Sequence, residues 1–222
     1  MKAFVFDAYG TLFDVFSVQG LCEALFPGHG KQLAEVWRKK QLEYSWLRSL
    51  MGRYRDFWAV TEDALLYCAK SLNLEITARE RARLMDSYLH LTTFPDVKPG
   101  LEELKQIGLR LAILSNGEPK MLRAAVDSAG LSPLIDRILS VDSVKVFKPS
   151  SLVYDQVPSE LKIDKREIGF VSSNNWDVHG AGAAGLMTFW IQRSRFETPE
   201  ELGYSPSHVV NAVTDLSRLI SH

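Results

Sequence analysis

Three short polar clusters each close an apolar run, and their residue types could do nucleophilic chemistry. Asp7 ends Ala3-Phe4-Val5-Phe6 and is followed by Gly10 and Thr11. Ser115 and Asn116 end Leu111-Ala112-Ile113-Leu114. Ser172, Asn174 and Asp177 follow Ile168-Gly169-Phe170-Val171. A short unbroken apolar run reads as a strand buried on both faces of a parallel sheet. In open α/β sheets, ligands bind beyond the carboxyl ends of the strands. Asp7 is therefore expected as an acid at the floor of a pocket. The plain alternative is a polar residue closing a strand. Three such ends occurring together, with Lys148-Pro149 between the second and third, argue against three ordinary strand ends.

The elements that must position these groups follow from periodicity. Residues 31–51 run without Gly or Pro, with Leu33, Trp37, Tyr44, Leu47 and Met51 at helical spacing. Residues 56–72 and 77–91 read as two further helices, and Thr77 with Glu80 fits a capping box. This stretch is too long for one crossover. It is expected to be a helical cap over residues 15–96, inserted after the first strand, with the Pro- and Gly-bearing residues 94–100 as the linker back. Residues 1–14 and 97–222 are expected to form the catalytic core. There, helices at 100–106, 119–128, 151–161 and 178–185 alternate with strands at 109–114, 136–141, 168–172 and 187–191. Such alternation means an α/β fold, a Rossmann-like parallel sheet with right-handed crossovers. No chemistry is read in the stretch after Phe196.

Composition narrows the function classes. The chain has 222 residues, 46% hydrophobic, with 26 basic and 27 acidic side chains and a net charge of −1. No broad basic surface for nucleic acid is implied. Cys22 and Cys68 form neither a disulfide framework nor a zinc pattern, so a reducing cytoplasm is the expected compartment. No basic-then-apolar leader precedes the first strand, and no stretch is apolar and long enough for a bilayer span. His29, His90, His179, His208 and His222 have no metal-ligand spacing.

The sequence resembles the haloacid dehalogenase superfamily. Asp7-Ala8-Tyr9-Gly10-Thr11-Leu12, Leu114-Ser115-Asn116-Gly117, Lys148-Pro149 and Ser172-Ser173-Asn174-Asn175-Trp176-Asp177 look like its four motifs. Most members are magnesium phosphatases, and two departures separate this chain from them. Tyr9 stands where phosphatases usually carry an Asp general acid, and Ser172-Ser173 stands where they carry acids that complete a magnesium site. Hard cations want several oxygen ligands, and only Asp7 and Asp177 remain. Both departures match the L-2-haloacid dehalogenases, and the cap segment at residues 36–50 is also very similar to theirs. A phosphatase with an unusual site and a non-catalytic binding module are the alternatives.

The resemblance implies hydrolytic dehalogenation of short L-2-haloalkanoic acids, without cofactor or metal, through an ester on Asp7. Lys148 would pair with Asp7 and keep it ionised. Thr11 and Ser172 would hold its carboxylate. Arg38, from the cap, would face the halide with Asn116 and Trp176. Ser115 would hold the substrate carboxylate. Asp177 and Asn174 would orient the hydrolytic water, with Asp177 as base. Tyr154 would support Lys148 or Asp177 at the edge of the substrate site, and Tyr9, Leu42, Phe57 and Trp176 would wall the alkyl group. Without the resemblance, Arg38 reads as a solvated helix arginine and Asp177 as a helix cap. The resemblance further implies a homodimer through the cap helices, where Trp46, Leu47, Leu50 and Met51 lie beside Tyr44.

Overall fold

Strand β1 (Ala3–Phe6) is buried at every position because it lies in the middle of a sheet. The computed structural model describes residues 1–194 and 198–220. The sheet has six strands in the order β3-β2-β1-β4-β5-β6, all parallel: β2 is Arg110–Ser115, β3 Arg137–Ser140, β4 Ile168–Ser172, β5 Met187–Ile191 and β6 His208–Val210. Phe6 pairs in register with Ile113 of β2 and Val171 of β4. That register brings Asp7, Ser115 and Ser172 to the same edge. The chain moves outward from β1 in both directions, so β1 flanks the topological switch point, where α/β sheets bind ligands.

The cap inserted after β1 carries helices α1 (Gln19–Leu25), α2 (Gly30–Leu50), α3 (Phe57–Ser71) and α4 (Ala78–Ser87). The Thr77–Glu80 capping box opens α4 as expected. Two passes of chain join this cap to the core side by side. Asp14 N–H donates to Thr92 O at 2.8 Å, and Phe94 N–H to Leu12 O at 3.2 Å. Beside them Arg193 donates to Asp96 at 2.7 Å and to Thr11 O at 2.6 Å.

The structure corrects the expected periodicity of α2. Its buried face is Leu33, Ala34, Trp37, Arg38, Gln41 and Ser45, whereas Leu47 and Met51 are 43% and 63% exposed. The inner stripe becomes polar where the helix passes over the sheet edge. Apolar spacing alone therefore follows the wrong face at the C-terminal end.

Helix α5 (Val97–Gln106) begins inside the expected linker, at Val97 rather than Gly100. Pro99 stands in its first turn, where a missing N–H breaks no helical bond. Helices α6 (Pro119–Ser128) and α7 (Ser151–Leu161) lie where expected. Helix α8 (Asn175–Ala183) starts three residues earlier than expected, with Asn174 as its N-cap residue, so Asp177 lies within the first turn and is not the cap. The stretch after Phe196, which itself lies outside the described residues, supplies β6 and α9 (Asp215–Ile220). None of the described helices is long and apolar enough to cross a membrane.

Candidate active site

A buried ion triad forms the floor of the site. Lys148 Nζ lies 3.1 Å from Asp7 Oδ1 and 2.9 Å from Asp177 Oδ2, and all three side chains are almost without solvent contact. Two carboxylates brought together in a low dielectric repel strongly, and an ammonium between them offsets this. The other Asp7 oxygen accepts from Thr11 Oγ1 at 3.0 Å and Asn174 Nδ2 at 2.7 Å. Asp7 is thus fixed by one cation and two neutral donors. Thr11 sits there because β1 turns back at Gly10, whose positive φ of 93° few side chains tolerate.

Asp177 is held from behind by Tyr154, whose hydroxyl donates to Oδ1 at 2.6 Å. Burial pushes the Asp177 carboxyl up to about 6; the nearby Asp7 charge acts the same way, and Lys148 and Tyr154 oppose it. Burial also pushes the Tyr154 phenol well above its usual range, so it remains a donor. Tyr154 fits against Gly180 of α8, where a Cβ would come within 2.6 Å of the hydroxyl.

Asp7 faces a small cavity of about 10 Å³, close to the room one water needs. Asp7, Ser115, Asn116 and Asn174 line it from the core side. Arg38, Leu42 and Phe57 close it from the cap, and Tyr9 and Trp176 complete the wall. Tyr9 stacks on Phe57 at 5.6 Å, and Trp176 meets Trp46 edge-on at 5.4 Å. Asn116 Oδ1 accepts from the Lys148 backbone N–H at 2.9 Å, which leaves the amide NH2 as the group it can offer elsewhere. Arg38 is only 9% exposed, and burial lowers its pKa without threatening its charge. Its direct partners are Gln41 Oε1 at 2.8 Å and Tyr9 O at 3.2 Å.

Most expected site residues meet in this arrangement, and three sit differently from the expectation. Ser172 does not bond Asp7 among the described residues; its hydroxyl lies 3.5 Å from Thr11 Oγ1 and accepts from Asn174 N–H at 3.1 Å. Its strand direction points it behind Thr11, so it braces the group that braces Asp7. Tyr154 lies behind Asp177 and does not line the cavity, because α7 packs on the far side of α8. Asn174, expected to orient water together with Asp177, spends its amide NH2 on Asp7 Oδ2 and Tyr9 O, at 2.7 and 3.1 Å. Periodicity passed over Gln41 and Thr61. Both are fully buried and polar, and the only signal was a polar side chain on an inward helical turn.

The pattern of the haloacid dehalogenase-like hydrolases matches residues 1–185. The chain belongs to this family. Among its relatives, an (S)-2-haloacid dehalogenase of Pseudomonas sp. (strain YL) is 48% identical over 213 residues, 96% of this chain and 91% of that protein. A solved L-2-haloacid dehalogenase from Xanthobacter autotrophicus, with chloropropionic acid covalently bound, superposes with a TM-score of 0.95 at 42% identity, covering 100% of this chain and 98% of that one. A family phosphatase from Thermococcus onnurineus shares the fold, with a TM-score of 0.64 at 22% identity.

The magnesium ion of family phosphatases does not fit this site. The position between Asp7 and Asp177 is filled by Lys148 Nζ. Ser173, where a third acid would be needed, donates its hydroxyl to Gly10 O at 2.7 Å. A divalent ion would have to displace a paired ammonium and manage with two carboxylates.

Proposed function

We propose that this haloacid dehalogenase-like hydrolase cleaves the carbon–halogen bond of short L-2-haloalkanoic acids, giving D-2-hydroxy acids and halide. The observation that carries this reading is the Asp7–Lys148–Asp177 triad beneath a cavity closed by Arg38. It supplies an ionised oxygen nucleophile and a cation for a departing anion. The relatives named (S)-2-haloacid dehalogenase support the same chemistry.

In the first step, an Asp7 oxygen attacks C2 from the side opposite the halogen. The C–O ester bond forms as the carbon–halogen bond breaks, and the halide leaves with the bonding pair toward Arg38, Asn116 and Trp176. Ser115 holds the substrate carboxylate. The apolar wall of Tyr9, Leu42, Phe57 and Trp176 takes the alkyl group and keeps bulk water away. In the second step, water adds to the Asp7 ester carbonyl and Asp177 accepts its proton. The acyl–oxygen bond then breaks as Asp177 returns that proton to the departing alkyl oxygen, which releases the hydroxy acid, and the second proton of the water passes to solvent. Asp7 regains its carboxylate with one oxygen from water, so C2 is inverted once.

The working unit is a homodimer joined through the cap helices, a reading supported by the exposed apolar side chains Leu47, Leu50 and Met51.

Chloride release from L-2-chloropropionate in the presence of a chelator tests the chemistry. Wild type is expected to turn over, and Asp7→Asn to release no chloride while remaining folded. Chelator-sensitive hydrolysis of phosphate esters, without chloride release, would replace this reading with that of a phosphatase.

A further inference from the structure

Arg38 is a buried cation whose direct partners carry no charge. Its Nη1 donates to Gln41 Oε1 at 2.8 Å and its Nη2 to Tyr9 O at 3.2 Å. No carboxylate forms an ion pair with it among the described residues. Behind Gln41 stands a second buried polar group. Gln41 Nε2 donates to Thr61 Oγ1 at 2.8 Å, and Thr61 Oγ1 donates to Phe57 O at 2.6 Å. Trp37 Nε1 donates to Thr61 O at 2.8 Å and ties the same turn of α3 to α2.

The polarity of this relay has one solution. A hydroxyl carries one hydrogen, and Thr61 directs it to Phe57 O. Toward Gln41 it can only accept. The carboxamide must then turn its NH2 to Thr61 and its oxygen to Arg38. The α3 backbone thereby fixes the orientation of a guanidinium carried on α2.

A glutamate at this position could grip Arg38 more strongly, since charge-assisted hydrogen bonds are the stronger kind. It would also cancel the field that a departing halide needs. In a cavity with room for about one water, solvent does little to screen that cancellation. A neutral acceptor orients the cation and leaves its charge available to the leaving group.

We propose that Gln41 is a positioning residue for the dehalogenation reaction: a neutral clamp, oriented by Thr61, that aims Arg38 at the leaving halide without neutralising it. The inference rests on the reading of Arg38 as the halide-facing cation.

The test compares wild type with Gln41→Glu, Gln41→Met, Thr61→Val, Thr61→Ser and Arg38→Ala. Rates are measured on L-2-chloropropionate and L-2-bromopropionate, with bromide as a product inhibitor and circular dichroism to confirm folding. Gln41→Glu should lower kcat/KM on the chloro acid by roughly a hundredfold, the scale of losing one preorganised electrostatic contact. The loss should be smaller on the bromo acid, whose better leaving group needs less help, and inhibition by bromide should weaken. Thr61→Val should move the same ratios less far, and Thr61→Ser should restore them. Near-wild-type rates and unchanged bromide inhibition in Gln41→Glu, with Arg38→Ala inactive, overturn the role of Gln41 alone. Equal losses in Gln41→Glu and Gln41→Met at an unmoved chloro-to-bromo ratio also overturn it, since they mark a packing role. Near-normal turnover by Arg38→Ala overturns the reading beneath it. Should Gln41→Glu fail to fold, an unmoved ratio in Thr61→Val overturns the proposal.

Discussion

At the scale of single residues, the site sets two carboxylates to different work through their neighbours. Asp7 is open to the cavity and held by Thr11, Asn174 and Lys148, whereas Asp177 has no solvent contact and is held by Lys148 and Tyr154. With its pKa raised by burial to about 6, Asp177 is ionised near neutral pH and protonated in mild acid. A proposed base must be ionised, so kcat should fall as pH drops below about 6. Ester formation removes the Asp7 charge, which had pushed in the same direction as burial. In the turnover complex, the midpoint should therefore lie at or below the value for the free enzyme. Tyr154 stabilises the ionised form by donating to it. Tyr154→Phe should consequently move the acid limb of kcat to higher pH, and a limb that stays in place would remove Asp177 from the role of base. Asp7, Ser115 and Asp177 were legible because a polar group closing an apolar run is conspicuous. Gln41 and Thr61 were not, because a polar residue on a helix looks the same in sequence whether it faces water or a buried guanidinium.

At the scale of elements, β1, β2 and β4 were readable because each is an apolar run buried on both faces. The C-terminal pair was not. Strand β6 is three residues long with only Val210 buried, and α9 has six residues with only Leu216 buried. Neither carries enough periodicity to register. Their importance lies in what they cover: α9 packs along α5, and the turn before it seats on Gly100. A Cβ at Gly100 would lie 2.6 Å from Val213 Cγ1 and 2.8 Å from the backbone N of Thr214. Helix propensity alone favours alanine over glycine by about 1 kcal/mol. Overpacking against backbone costs about 1–3 kcal/mol, and here the backbone cannot rotate aside. Gly100→Ala should lower Tm in a thermal melt while kcat/KM for the folded protein stays close to wild type. A raised Tm would mean that the Val213 turn gives way easily. The same crowding explains why the helix starts at Val97 and not at Gly100: the glycine is there for close approach and does not break the helix.

At the scale of the whole molecule, the cap both covers the site and carries exposed apolar surface. The cavity of about 10 Å³ lies where cap side chains meet the sheet edge. Besides the Arg38–Tyr9, Tyr9–Phe57 and Trp46–Trp176 contacts, Tyr54 donates to Asp142 at 2.6 Å, and Phe147 N–H to Ser49 Oγ at 3.0 Å. The cap joins the core through the pair of passes at Asp14–Thr92 and Leu12–Phe94, flanked by Arg193. The cap also carries exposed apolar side chains. Leu47 and Leu50 of α2 and Met51 just after it are 43%, 84% and 63% exposed, and Leu66 and Tyr67 of α3 are 39% and 42% exposed. We read these exposed apolar side chains as the interface of the proposed homodimer. Leu50 and Met51 make the decisive variants because they are the most exposed of the five, and polar substitutions at such positions change folding stability by only about 0.5 kcal/mol. Leu50→Asp with Met51→Asp should leave the thermal melt of the chain nearly unchanged at high dilution. In light scattering, the double variant should have the single-chain mass of 25.0 kDa and the wild type twice that. A wild type that runs at the single-chain mass across the micromolar range would show that the exposed face of α2 serves something other than a second copy of the chain.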